Sequence, residues 1–104
     1  MILVRNVFRL KFGTAREAIG LWREGIGVLR RAGVSRDIRV LTDLAGPFYT
    51  LVVEETFESL GAMEDAFRAD SRLPEWREFY SRFATIAETG ERELYTIIEE
   101  AAPG

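Results

Sequence analysis

The sequence predicts an α+β domain in which an antiparallel four-stranded sheet carries helices on one face only. Three observations point there. Residues 2–12 alternate in polarity with the two-residue period of a half-buried strand. Residues 15–32 place apolar side chains at the three-and-four spacing of an amphipathic helix. The segments that follow switch between these periods so that the whole chain reads βαββααβ. With right-handed crossovers, that order gives a split βαβ, ferredoxin-like sheet.

The first strand sets Ile2, Val4, Asn6, Phe8, Leu10 and Phe12 on one face, and Gly13 bounds it. Asn6 is the only member of that face that is not hydrocarbon. Thr14 and Glu17 have the spacing of a capping box, in which the hydroxyl takes a free backbone N–H and the carboxylate reaches back. The helix that follows runs to about Ala32. Ile19, Trp22, Ile26 and Leu29 form its apolar stripe, Leu21 and Val28 widen it, and Gly33 stops it in a left-handed turn. Gly20, Gly25 and Gly27 lie inside this helix, where each costs about 1 kcal/mol against alanine. Either they permit close backbone approach or the helix is simply weak.

Residues 36–43 form the second strand, Leu44–Pro47 a turn and Phe48–Phe57 the third strand, so the two make a hairpin. Ser59 is an N-cap for a short helix with Leu60, Met63 and Phe67 inward, broken at Ser71–Leu73. Pro74 suits the first turn of another helix, whose stripe is Trp76, Phe79/Tyr80, Phe83 and Ile86/Ala87 and which Gly90 ends. Residues 91–99 form the last strand and Ala101–Gly104 a frayed tail. The two halves, strand–helix–strand and strand–helices–strand, form a weak internal repeat.

The chain has 104 residues, of which 47% are hydrophobic and 12% aromatic, enough for one domain over residues 1–104 with its own core. A domain of this size buries a modest share of its surface, and a second subunit helps it. The net charge of −3 argues against nucleic acid as a partner. The RNA-recognition motif shares this strand order, but the third strand here ends on Glu54-Glu55 and lacks a basic start. No apolar run approaches the roughly 18 residues of a membrane span, and Arg5 interrupts the opening Met1–Val4, so neither a membrane nor a signal peptide is expected. The absence of cysteine suits a reducing cytoplasm.

One face of the sheet must remain open. Leu3, Arg5, Val7, Arg9 and Lys11 lie on it from the first strand, and Phe48, Thr50, Val52 and Glu54 from the third. Tyr49, Leu51, Val53, Glu55 and Phe57 then face the helices. Two copies packed open face to open face would bury Val7, Phe48 and Val52, with Glu54 neutralising Arg5 or Arg9. The expected partner is therefore a second copy of the chain.

The segments "RLKFGTAREAIGLWREGIGVLRRAG", "FESLGAMEDAF" and "LPEWREFYSRF" resemble the dimeric α/β-barrel superfamily, and within it NIPSNAP-like proteins. That resemblance implies a homodimer joined through open sheet faces. The opening "RNVFRLKFGTARE" is similar to the start of haem-degrading monooxygenases and of cofactor-free antibiotic-biosynthesis monooxygenases. In the haem group, a first-strand asparagine corresponds to Asn6 and an aromatic before the short helix to Phe57. Those proteins complete their site with an axial histidine. This chain has no histidine, so no haem is expected.

The residues also predict a pocket between helices and sheet, lined by Phe8, Trp22, Phe57, Phe67, Trp76, Phe79 and Phe83 around Asn6. An apolar cavity with a few polar groups suits a small hydrophobic molecule. Asn6 would donate to a carbonyl or enolate oxygen, and Glu55 would serve as base if burial raises its pKa. The opposing expectation is a filled aromatic core, with Asn6 bonded to a neighbour. Glu54-Glu55 and Glu99-Glu100 are adjacent, so each pair points to opposite faces, and no metal-ligand spacing occurs. The leading expectation is a homodimeric small-molecule domain; the alternatives are a monooxygenase without a cofactor or of the haem-degrading type, and a non-enzymatic dimerisation domain.

Overall fold

The computed structural model describes residues 1–103 and contains β1 (Ile2–Leu10), α1 (Ala15–Arg31), β2 (Ile38–Thr42), β3 (Thr50–Phe57), α2 (Leu60–Asp70), α3 (Pro74–Ala84) and β4 (Ala87–Thr96). The strands form one antiparallel sheet in the order β2-β3-β1-β4, the ferredoxin-like arrangement that the element order demands. β1 and β3 pair from Ile2 opposite Phe57 to Arg9 opposite Thr50. That register puts Leu51, Val53, Glu55 and Phe57 on the same side as Val4, Asn6 and Phe8, beneath the helices. It sends Glu54 and Glu55 to opposite faces, as the strand period requires.

Apolar burial falls into two clusters. The larger holds Leu10, Trp22, Leu51, Val53, Phe79 and Phe83, with further α1 residues; the smaller holds Val4, Phe57 and Met63, with Ile2, Ala66 and Phe67 packed on it. Asn6 lies between Val4 and Phe8 on β1, and Glu55 between Val53 and Phe57 on β3. These two polar side chains form a seam that divides the core. The asparagine in an apolar face thus marks where the packing is interrupted.

Several local expectations change. The capping-box hydroxyl of Thr14 donates to the Lys11 carbonyl at 2.6 Å instead of accepting from the helix, so it stabilises the preceding turn. Ser59 does cap α2, its Oγ accepting from the Ala62 N–H at 3.1 Å. Leu60, expected to face inward, is exposed in the first turn of α2. The buried stripe of α1 runs through Ala18, Leu21, Trp22, Gly25, Val28 and Leu29, leaving Ile19 and Ile26 at its margin. Of the three helical glycines, Gly25 has a steric purpose: a Cβ there would stand 2.9 Å from the Phe79 ring, whereas Gly20 faces open space. Gly33 adopts φ +87° and ends α1, with the Val34 N–H donating to the Leu29 carbonyl.

The last helix ends at Ala84, well before Gly90, and β4 occupies residues 87–96 in place of 91–99. Gly90 is a strand residue opposite Phe8, and a Cβ would lie 3.0 Å from that ring. Its missing side chain makes room for Phe8, a tertiary role that sequence spacing does not reveal. β2 is shorter than 36–43 and β3 starts at Thr50 rather than Phe48. Tyr49 takes φ 60° in a longer turn that Asp43 closes by accepting from the Thr50 N–H. Ala101–Pro103 follow β4 without regular structure, and Gly104 lies outside the described residues.

Candidate functional site

A cleft of about 480 Å³ opens where α2 and α3 diverge above the polar seam. Asn6, Glu55, Trp22, Phe67 and Trp76, all among the residues singled out in the sequence, line it. The other expected wall residues sit behind it. Phe79 and Phe83 are each 1% exposed and belong to the filled core, and Phe8 meets Phe83 edge-on at 4.9 Å between ring centres. Phe57 packs edge-on against Phe67 at 5.4 Å and underlies Arg36. The aromatic stripe is therefore mostly core, with a hollow only at its margin. Among the described residues the buried Trp22 indole N–H has no hydrogen-bond partner.

The polar side of the cleft contains Tyr80 of the α3 stripe and residues that sequence periodicity did not single out: Asp70, Arg77, Ser81 and Arg92, with Arg36 behind them. The arginines lie on segments whose charges look like ordinary surface charges in one dimension. Only the β1–β4 register, which sets Asn6 opposite Arg92, brings that guanidinium to the site.

Arg92 Nε donates to Asn6 Oδ1 at 2.8 Å, and its guanidinium lies 4.8 Å above the centre of the Phe67 ring. The hydrogen bond fixes the amide orientation, because only the oxygen can accept from arginine. Asn6 Nδ2 is then left as a donor. Glu55, 6% exposed, accepts from Arg36 Nε at 3.1 Å, and Arg36 also forms an ion pair with the buried Asp70. Burial pushes the Glu55 carboxyl above the ordinary carboxylate range, with Arg36 opposing that shift. Burial disfavours the Arg36 charge, but the hydrogen bonds and charges of Asp70 and Glu55 outweigh it and raise its pKa. Burial likewise raises the Tyr80 phenol, against the pull of nearby Arg92.

The open sheet face carries a different pattern. Arg39 of β2, Glu54 of β3, Arg5 of β1 and Glu93 of β4 occupy one row across all four strands. Glu54 pairs with Arg39 and with Arg5 at 3.3 Å, and Arg5 pairs with Glu93 at 2.8 Å. Val7 and Val52 stand opposite each other in the next row, flanked by Leu41. Arg9 bonds Thr50 rather than a carboxylate, because the register places Thr50 opposite it. Phe48 lies outside β3, 78% exposed, beside Phe12, Ala15 and Ile19 at the hairpin end.

The NIPSNAP family model matches residues 5–99. An uncharacterized NIPSNAP domain protein from Burkholderia xenovorans superposes with a TM-score of 0.85 at 15% identity, over 99% of this chain and 100% of that one. A NIPSNAP family protein from Agrobacterium tumefaciens gives 0.85 at 18% identity, over 96% and 88%. SnoaB, a cofactor-independent oxygenase from Streptomyces nogalater, gives 0.71 at 14% identity, over 95% and 94%. At such identities the likeness shows the shared fold. No curated protein matches the chain.

Proposed function

The chain belongs to the NIPSNAP family, and we propose that it is a homodimeric domain that binds a small hydrophobic molecule in the cleft between helices and sheet. The cleft itself carries this reading. Its volume falls within the range of small-molecule sites, its aromatic wall is tryptophan and phenylalanine, and polar groups converge on it, among them the Asn6 amide, the Tyr80 phenol and the Arg92 guanidinium. Dimerisation is supported by the open sheet face, where half-buried Val7 and exposed Leu41 flank Val52, itself 8% exposed in the single chain, beside a charge row that is neutral within one subunit. Burying that row costs less than burying unpaired charges. No haem enters this reading, since the chain has no histidine.

Asn6→Ala tests the cleft. Asn6 is half-buried and its partner Arg92 is exposed, so the variant keeps its fold, while the affinity for a hydrophobic fluorescent probe falls severalfold. A stability loss of about 1–3 kcal/mol with probe binding intact would make Asn6 structural and the cleft incidental. Sedimentation equilibrium at micromolar concentration tests the assembly. The wild type sediments as a dimer and Val52→Lys as a monomer; a monomeric wild type would remove the homodimer.

A second reading is favoured by the pairing of Asn6 with Glu55. In a cofactor-independent oxygenase the substrate itself must supply electrons to dioxygen. Glu55 would take its proton, and Asn6 Nδ2 would hold the resulting enolate oxygen. Oxygen consumption with an acidic phenolic substrate, lost in Glu55→Gln, distinguishes catalysis from binding. A third reading, a dimerisation domain without a ligand, is what remains if neither probe nor substrate engages the cleft.

A further inference from the structure

We propose that the molecule held in the cleft is a planar aromatic acid, its carboxylate gripped by Arg92 and its ring laid against Trp76. This rests on the cleft being a ligand site and goes beyond it by naming the ligand's charge. The argument begins with which charges are already satisfied. Glu55 and Asp70 both reach the cleft, but Arg36 holds them from behind. Arg77 and Arg92 also line the cleft, and among the described residues neither forms an ion pair. The five groups together therefore carry one excess positive charge, on the cleft side.

Arg92 is also held in place for this work. Its Nε is engaged by Asn6 and its face by the Phe67 ring, while no partner within the described chain takes its terminal Nη groups. A guanidinium with a fixed plane and two free parallel donors matches a carboxylate in two-point contact. Fixing it beforehand removes most of the ordering cost of binding. Arg77 uses one Nη for the Ser71 carbonyl at 2.9 Å and adds a second cation at the cleft. The walls supply the other half of the ligand. Trp76, half-buried, offers a ring face to the cleft and stands edge to face with Trp22 at 6.0 Å between ring centres; Trp22, 4% exposed, closes the cleft from below. Both tryptophans of the chain line the cleft.

Isothermal titration calorimetry at pH 7.5 with 2-naphthoate and with its neutral counterpart, 2-naphthamide, tests the inference. The wild type is expected to bind the acid at least tenfold more tightly than the amide. Arg92→Gln removes that preference, so that the variant binds acid and amide alike. Arg92→Lys, which keeps the charge and loses the fork, recovers only part of it. Equal binding of both probes by the wild type, or a preference for the acid that survives Arg92→Gln, overturns the aromatic-acid assignment and leaves the cleft a site for neutral molecules. Failure of both probes to bind overturns the cleft reading together with it.

Discussion

Trp76 and Phe79 are three residues apart on one face of α3, yet they meet different surroundings. Phe79 is 1% exposed, packed against Trp22 and seated where Gly25 has no side chain. Trp76 is half-buried and one of its faces borders the cleft. The helix period is the same for both; the difference lies in what stands below. Phe79 lies against α1, over Gly25 and beside Trp22, while Trp76 lines the cleft with Asn6 and Glu55, where polar groups replace packing. A stripe of aromatics thus becomes core where a neighbouring helix covers it and pocket wall where it looks onto the polar seam.

The largest expected break in this comparison is on the polar side. Arg36→Ala leaves Glu55 and Asp70 buried without their cation and is expected to cost about 3–5 kcal/mol in urea denaturation. On the packed side, Phe79→Ala is expected to cost about 3–5 kcal/mol by cavity formation. Trp76→Ala should cost less than half of the Phe79→Ala loss while abolishing binding in the cleft. Similar losses for the two aromatics would mean that both are core.

The α1 glycines sharpen the contrast at smaller scale. Gly25→Ala drives a methyl into the Phe79 ring and is expected to destabilise by about 1–3 kcal/mol. Gly20→Ala meets open space and should stabilise by about 0.5–1 kcal/mol, read in the same thermal melts. The smallest effect is a pH dependence. With its folded pKa raised by burial, Glu55 keeps its proton in the native state after the unfolded chain has released it. Stability from this group is full below the unfolded value of about 4.3 and is lost as pH rises through the folded pKa. In Glu55→Gln that fall disappears from the stability–pH curve. A curve unchanged by the substitution would show that Arg36 fully offsets the burial.

The sheet, its order and the side of each β1 and β3 residue were legible because strand alternation and crossover handedness are local rules. Asn6 was legible as an interruption for the same reason. The cleft's arginines were not. Arg36 sits in a loop, and Arg92 on an edge strand whose start depends on where α3 stops; nothing in the spacing indicated that both converge on one seam. Gly90 shows the same limit. A glycine after an apolar stripe suggests a helix stop, and only the partner strand reveals that it clears space for Phe8.

The row Arg39, Glu54, Arg5, Glu93 also guards against misalignment of the strands during folding. A slip of β2 along β3 by two positions would keep every side chain on its proper face, so hydrophobic patterning alone tolerates it. The alternating signs do not. Such a slip sets Arg39 against Val52 or Thr56 and puts Leu41 or the like-charged Asp37 opposite Glu54, which then loses one of its two arginines. The row therefore acts as an alignment key that admits a single seating of an edge strand and penalises the nearest wrong one.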